Sequence, residues 1–299
     1  MGSQQLGGRP ESLWLWGPEI GGSGGTRDAT RPVFSLVAWL CHNDVHVRSA
    51  TKPRVSEDAL FGGRIALFQP SPGFGYRANV DALLLAAFAG QQRRGVAKAV
   101  DLGSGVGAVG LSLFHLGIAK RVEFIERDAS LVALCQRNLD ANGFAERSSV
   151  VVGDLERSLR TVAPELVHTA NLVVSNPPYV AESRDARAPA HARSKARQRA
   201  RHGELAPFLR SAAEALGRRG RACFVYPAHA LLELMTLGRD VGLEPKRLRF
   251  VHGKADRPAR VALIELVSGK AGGLVVETPL IETESDGRAT EEVARLVRP

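Results

Sequence analysis

The stretch Lys98-Ala-Val-Asp-Leu-Gly-Ser-Gly-Val-Gly-Ala-Val-Gly110 decides the fold of this chain. Its first five residues predict a strand, glycines follow, and a helix is predicted over 106–116. A strand that turns through glycines into a helix is the repeating unit of open α/β sheets. We therefore predict an α/β fold, and much of the remaining chain repeats this unit.

Predicted strands and helices alternate from residue 80 onward. Helices are predicted over 80–90, 106–116, 129–142, 204–216 and 230–241, and strands over 98–102, 121–125, 149–152, 172–175, 221–226, 246–251 and 260–267. Such alternation gives a parallel sheet with helices on both faces. Little sequence separates the last two strands, so they are predicted to form an antiparallel hairpin at one edge. The expected architecture is Rossmann-like, with a seven-stranded, mostly parallel sheet.

The 299 residues divide unevenly by composition. Residues 1–52 are rich in glycine and lack periodicity, so we predict a disordered or non-conforming extension. Residues 53–270 form the predicted globular domain. It opens with a hairpin and loop over 53–78, in which Gly62-Gly63 supplies the turn. Residues 271–299 are expected to be a C-terminal tail.

Composition excludes several classes of protein. The apolar fraction of 44% is typical of soluble globular domains. Three widely spaced cysteines without a Cys-x-x-Cys argue against disulfides and zinc, and they fit a reducing cytoplasm; no metal site is expected. The longest apolar run near the start, residues 33–41, is too short to cross a bilayer. A formal net charge of +9 suggests a polyanionic partner.

The glycine-rich turn formally matches two kinds of nucleotide site. Gly105-x-Gly107-x-x-Gly110 fits the dinucleotide fingerprint of nicotinamide enzymes. Asp101 immediately precedes the turn, however, and a carboxylate there repels a pyrophosphate and attracts an amino group or a sulfonium. Gly103 and Gly105 let the backbone approach such a ligand closely.

Two more acids follow the next two predicted strands. Glu126 can accept hydrogen bonds from both hydroxyls of a ribose, and Asp154 can accept one from the exocyclic amine of an adenine. Glu126 alone could be a solvated surface charge. Three acids at successive strand ends instead favour a cationic nucleoside without phosphate, which is the description of S-adenosylmethionine.

The sequence Asn176-Pro-Pro-Tyr179 follows the strand predicted over 172–175. Two prolines cannot continue a sheet ladder, so the chain leaves the sheet at Asn176 and crosses its carboxyl edge. There the Asn176 Oδ1 and the Pro177 carbonyl can accept from a planar NH₂ group, and Tyr179 can stack on its ring. A simple turn is the alternative.

A basic segment follows this motif. Between residues 184 and 201 there are seven cations and one acid, Asp185. Self-repulsion favours a flexible loop that holds the phosphates of a polyanionic partner, and a solubilising charge run is the alternative. The residues predicted to contact these phosphates are Arg184, Arg187, Arg193, Lys195, Arg197, Arg199 and Arg201.

These motifs resemble those of class I S-adenosylmethionine-dependent methyltransferases that modify planar amino groups. Residues 55–267 are most similar to the bacterial tRNA(Val) adenine-N6 methyltransferase family, which shares the Gly62-Gly63 hairpin, the segment Gly75-Tyr-Arg77, the helix start at Asp81 and the late pattern Arg260-Val-Ala-Leu-Ile-Glu265. The resemblance implies that Phe74, Tyr76 and Arg77 lie over the cofactor.

The resemblance implies methylation of an exocyclic amino group of a base in RNA, and specifically of the N6 amine of an adenine in tRNA. The expected catalytic residues are Asn176, Pro177 and Tyr179, and the expected cofactor-binding residues are Asp101, Gly103, Gly105, Glu126, Asp154, Asn176 and Arg77. The alternatives are glutamine-N5 methylation of a release factor, a DNA adenine methyltransferase and a non-catalytic RNA-binding protein on the same fold. A monomer is slightly favoured.

Overall fold

The computed structural model describes residues 54–74, 77–178, 205–269 and 271–297. The N-terminal extension, Tyr76, Tyr179 and the basic segment 184–201 lie outside these ranges. Among the described residues, no helix is long and apolar enough to cross a membrane, and no group of three or more potential ligands could hold a metal ion.

The chain folds into a central sheet preceded by a separate hairpin. The hairpin strands are β1 (Val55–Leu60) and β2 (Ile65–Pro70), which pair antiparallel. The sheet strands are β3 (Val96–Leu102), β4 (Ala119–Glu126), β5 (Ser148–Val152), β6 (Ala170–Ser175), β7 (Leu216–Pro227), β8 (Leu243–His252), β9 (Ala259–Ser268), β10 (Val275–Val276) and β11 (Leu280–Ile281). The α-helices of the described residues are α1 (Val80–Gln92), α2 (Ala108–His115), α3 (Ala129–Ala141), α4 (Leu159–Val162), α5 (Ala206–Ala215), α6 (Leu231–Asp240) and α7 (Glu291–Val297).

The predicted mixed sheet is confirmed, but its strand count is wrong. The order is β10-β8-β9-β7-β6-β3-β4-β5, with β11 also paired to β8. β9 runs antiparallel to both β7 and β8, which gives the expected antiparallel hairpin, although β10 and β11 cover its outer edge. The two additional strands, β10 and β11, pair parallel with β8. They come from residues expected to be a tail; instead, residues 275–297 pack into the domain, where Val293 of α7 is fully buried.

Alternate residues of the strands point into two apolar cores. Val100, Leu102 and Val173 pack with α5 and α6 on one face, whereas Ala99, Leu172 and Val174 pack with α1, α2 and α3 on the other. Burial on both faces explains why these strands are continuous apolar runs. The helices therefore cover both faces of the sheet, as predicted.

The N-terminal hairpin is fixed to α3 by two asparagine side chains. Asn142 exchanges hydrogen bonds with the backbone of Ala66, and Asn138 does so with Phe68. The buried Asn138 amide also donates to the carbonyl of Val106 at 2.8 Å. One side chain thus joins the hairpin to the glycine-rich turn.

Candidate active site

The strand order reverses between β3 and β6. β3 connects in sequence toward β4 on one side, while β6 lies on its other side, with Asp101 in register with Val174. Ligands of open α/β sheets bind at the carboxyl ends of strands at such a switch point. The Ser175 hydroxyl donates to the Leu102 carbonyl at 2.8 Å, so the glycine-rich turn and the Asn176 motif begin side by side.

Three glycines of the turn occupy backbone conformations that other residues rarely adopt. Gly103 has φ +68°, Gly105 has φ +56° and Gly107 has φ +85°. A Cβ at Gly103 would lie 2.6 Å from Cε1 of Phe208, and one at Gly107 would lie 2.8 Å from Sγ of Cys135. Side chains at these positions would therefore push the turn away from its neighbours.

Glu126, at the end of β4, organises the turn from the side. Its carboxylate accepts from the backbone N–H of Gly105 at 2.9 Å through one oxygen. The other oxygen accepts from the N–H groups of Arg127 and Asp128, at 2.8 and 2.9 Å. These three bonds occupy three of the roughly four lone-pair directions of the carboxylate, and the fourth, on the oxygen that accepts from Gly105, remains for a ligand hydroxyl.

The loop after β5 is held by helix α5. Asp154 is exposed, and its carboxylate accepts from the N–H of Glu156 at 3.0 Å. The Arg210 guanidinium donates to the carbonyls of Leu155 and Glu156, at 2.9 and 3.0 Å. One turn later on the same helix, Glu214 accepts from the Ser158 hydroxyl and the Leu159 N–H.

These elements enclose a cleft of about 210 Å³. Its walls include four carboxylates and one arginine: Glu126, Asp128, Asp154 and Glu156, against Arg127. Its apolar lining includes Ile125, Leu155 and Phe208. Such a cleft attracts a cation and repels phosphates, and its apolar walls suit a flat base.

Asp101 occupies a different place from the one its sequence position suggested. It is 1% exposed, is not part of the cleft lining, and accepts from the N–H of Gly110 at 3.0 Å. Burial raises the pKa of its carboxyl to about 7; the Gly110 bond lowers this pKa, and the nearby charge of Glu126 raises it. Its position ties the start of α2 to the end of β3 beneath the glycine-rich turn.

The raised pKa of Asp101 makes a pH dependence measurable. An unfolded aspartate titrates near its model value of 3.8, so between that pH and about 7 the folded chain holds a proton that the unfolded chain has lost. The free energy of unfolding should therefore fall as pH rises through this window. Asp101→Asn keeps an acceptor for Gly110 and removes the titration. Between about pH 5.5 and 7 the variant should gain roughly 2 kcal/mol relative to wild type. Urea denaturation at a series of pH values measures this, and parallel curves would contradict it.

Arg77 also lies away from the cleft lining. Its guanidinium pairs with Asp58 at 2.9 Å and donates to the Ser56 hydroxyl and the Pro70 carbonyl. Gln69 donates to the same Asp58 carboxylate and accepts from the N–H of Ala78. Arg77 therefore fixes the loop to the hairpin. Phe74 is 53% exposed and does not line the cleft.

The carboxyl end of β6 completes the cleft. Asn176 and Pro178 line it together with Gly103 and Gly105, and Pro177 is buried between them. Tyr179 and the seven cations of the basic segment lie outside the described residues. Of the predicted site residues, the structure thus brings together Gly103, Gly105, Glu126, Asp154 and Asn176.

The residues present fit S-adenosylmethionine. Glu126 would hold its ribose, Asp154 would face its adenine, and the acidic walls suit its cationic end. Phe208, Pro207 and Arg210 were missed by the sequence analysis. No motif marks them, because a helix joins this site only through its packing on the sheet.

Known proteins share the family and the fold of this chain. Residues 79–234, more than half of the chain, match the family described as methyltransferase small domain. The tRNA1(Val) (adenine(37)-N6)-methyltransferase of Porphyromonas gingivalis is 28% identical over 237 residues, covering 76% of this chain and 89% of its own. The enzyme of the same name from Parabacteroides distasonis is 29% identical, covering 64% and 76%.

Among solved structures, a protein from Agrobacterium tumefaciens described as a predicted O-methyltransferase has a TM-score of 0.57 at 22% identity, covering 72% of this chain and 94% of its own. A T. thermophilus 16S rRNA N2 G1207 methyltransferase, solved with AdoMet and guanosine, has a TM-score of 0.50 at 19% identity, covering 72% and 50%. These two likenesses concern the fold. The chain belongs to the methyltransferase small domain family and is an S-adenosylmethionine-dependent methyltransferase.

Proposed function

We propose that this enzyme methylates the exocyclic N6 amine of an adenine in tRNA. The observation that carries the proposal is the position of Asn176, at the end of β6, in the same cleft as Glu126 and the glycine-rich turn. An amide acceptor there faces the place where a methyl group is delivered. The names of the relatives from P. gingivalis and P. distasonis support tRNA and adenine as the target.

The proposed chemistry rests on orientation. S-adenosylmethionine, when bound, would supply an electrophilic methyl group whose bond to sulfur breaks as its bond to nitrogen forms, and S-adenosylhomocysteine would be the product. The lone pair of an adenine amine is delocalised into its ring, so the amine is a weak nucleophile. Asn176 Oδ1 and the Pro177 carbonyl accept its two hydrogens, favour a pyramidal nitrogen and direct the lone pair at the methyl group. A strong general base is unnecessary, because the methylated nitrogen is acidic enough to lose its proton afterwards.

Two further contacts belong to the proposal. Tyr179 stacks on the target base, which leaves its loop to reach the cleft. The cations between residues 184 and 201 hold the phosphates that flank this base. Within the chain, residues 53–270 form the catalytic domain. Residues 275–297 contribute the two short strands that pair with β8 at the edge of the sheet.

Glutamine-N5 methylation of a protein is the second candidate, because the amide of a glutamine side chain is also a planar NH₂ group. One experiment separates the two. Purified enzyme is given methyl-labelled cofactor with total tRNA, total rRNA or total protein, and the labelled tRNA is digested to nucleosides. The proposal expects label in tRNA as N6-methyladenosine. Label confined to protein or rRNA would overturn it.

A further inference from the structure

A band of cations runs along the edge of the sheet opposite the cleft. At this amino edge β3, β4 and β7 begin, and β5 begins immediately after Arg147. The band, here called the amino-edge rim, consists of Lys98, Lys120, Arg121, Arg147, Arg218 and Arg219. All are exposed except the half-buried Lys98.

Strand register makes the amino-edge rim continuous. Lys98 and Arg121 are direct partners in β3 and β4, and Arg121 donates to the carbonyl of Glu146, next to Arg147. On the other side, the Lys98 ammonium lies 3.5 Å from the Thr169 hydroxyl, just before β6. Ala170 of β6 pairs with Leu216, which leads into Arg218 and Arg219. The six cations therefore span five adjacent strands.

Within the described part of the chain no carboxylate pairs with these cations, although the Arg147 guanidinium lies over the rings of Phe114 and Phe144. None of the six takes part in any ion pair of that part. Two exposed carboxylates, Glu146 and Glu165, are close in sequence to this edge. Because the rim has six cations, the local net charge is positive. Some exposed arginines elsewhere, such as Arg239, Arg257 and Arg288, do face a carboxylate. A run of like charges without counter-charges suits an external polyanion.

We propose that the amino-edge rim binds the phosphate backbone of a folded RNA whose reactive nucleotide occupies the cleft. This inference rests on the proposed function. From Lys98 to Leu102 the strand advances four residues, or about 13 Å, so the rim and the cleft are a short distance apart on the scale of RNA. A double-stranded RNA-binding domain, by comparison, contacts about 16 base pairs.

An anionic membrane is a poorer fit than RNA. Membrane-surface sites combine cations with apolar side chains that enter the bilayer interface. The large exposed apolar side chains of the described residues are Phe74, Val152, Leu232, Val275 and Val276, and none belongs to the stretches that form the rim. Arginine also predominates over lysine in the rim, as suits phosphate recognition in nucleic acids.

Neutralising the rim tests the inference by RNA binding. The variant Lys98→Gln/Arg121→Gln/Arg218→Gln is compared with Arg239→Gln/Arg257→Gln/Arg295→Gln, which removes three exposed cations elsewhere. The probe is a full-length valine tRNA transcript at salt concentrations from about 50 to 200 mM. The rim variant should bind about tenfold more weakly, and its slope of log K against log salt should shrink by about 2. The control should stay within about twofold of wild type. Equal affinities and slopes in the two variants would overturn the inference.

A second variant guards against misfolding. Arg218→Gln/Arg219→Asn changes only two exposed side chains near the start of β7, and asparagine tolerates the φ of +61° at position 219. It should weaken tRNA binding about threefold or more and leave S-adenosylhomocysteine affinity unchanged; wild-type tRNA affinity would overturn the inference.

An isolated anticodon stem-loop should bind both rim variants like wild type. Loss of binding to phosphatidylserine vesicles with tRNA binding intact would assign the rim to membranes. A failure of the proposed function can be distinguished from a failure of this inference, because the wild-type enzyme would then form no N6-methyladenosine in tRNA.

Discussion

Asn176→Ala should lower kcat for methyl transfer by about 10²- to 10³-fold while the affinity for S-adenosylhomocysteine stays nearly unchanged. The substitution removes one of the two acceptors proposed to orient the target amine, and removing one preorganised transition-state contact has an effect of about this size. Glu126 and Asp154 remain in place, so cofactor binding should persist. Single-turnover kinetics with saturating RNA measure the chemical step, and calorimetry measures the cofactor product.

Two variants make this result specific. Asn176→Asp keeps a side-chain oxygen at the same place and should retain more activity than Asn176→Ala. Asn171→Ala removes an amide from the opposite end of the same strand, where its oxygen accepts from the N–H of Lys98. This variant should have a lower free energy of unfolding, and its kcat should stay within a few-fold of wild type. Wild-type turnover in Asn176→Ala would refute the proposed mechanism.

Much of this fold follows from local patterns. Strands β3 and β6 are apolar runs buried on both faces, and α1 is capped by Asn79, whose side chain accepts from the N–H of Asp81. Strong periodicity and a cap place such elements within a few residues. The strand predicted over 221–226 in fact runs from Leu216 to Pro227, because its first part continues beside β6 through a register irregularity.

Residues 275–297 could not be predicted in this way. β10 and β11 have two residues each, too few for a period, and they are strands only because β8 offers its free edge. Long-range ion pairs hold this segment in place: Arg247 with Glu277, Arg249 with Glu292, and Arg260 with Glu282. Such pairs join residues that are distant in sequence, so no local sequence pattern predicts them.

The site shows the same division. Glycines, strand-end acids and Asn176 were found because their chemistry is tied to a fixed place in a βα unit. The position of Asp101 before the glycine-rich turn predicts contact with the ligand, but strand alternation directs its side chain into the core beneath α2. Pro207 and Phe208 reach the cleft through the packing of α5, which depends on the whole sheet.

Glu126 supports the second large prediction, because it combines two tasks in one carboxylate. It accepts three backbone N–H groups, from Gly105, Arg127 and Asp128, and it lines the cleft. Hydrogen bonds to a charged group contribute about 1.5–3 kcal/mol each. Its removal should therefore loosen the glycine-rich turn as well as remove the acceptor for a ribose.

Glu126→Ala should raise the Kd for S-adenosylhomocysteine by about 100-fold, which corresponds to about 2.7 kcal/mol. kcat at saturating cofactor should fall less than tenfold, because the proposed amine acceptors at Asn176 and Pro177 are unchanged. The matched control is Glu156→Ala, which removes another carboxylate of the same cleft without removing a bond to the glycine-rich turn. Its Kd should rise less than about threefold, as expected for an exposed charge. Equal losses in the two variants would mean that the cleft attracts its ligand through overall charge, and that Glu126 has no special role.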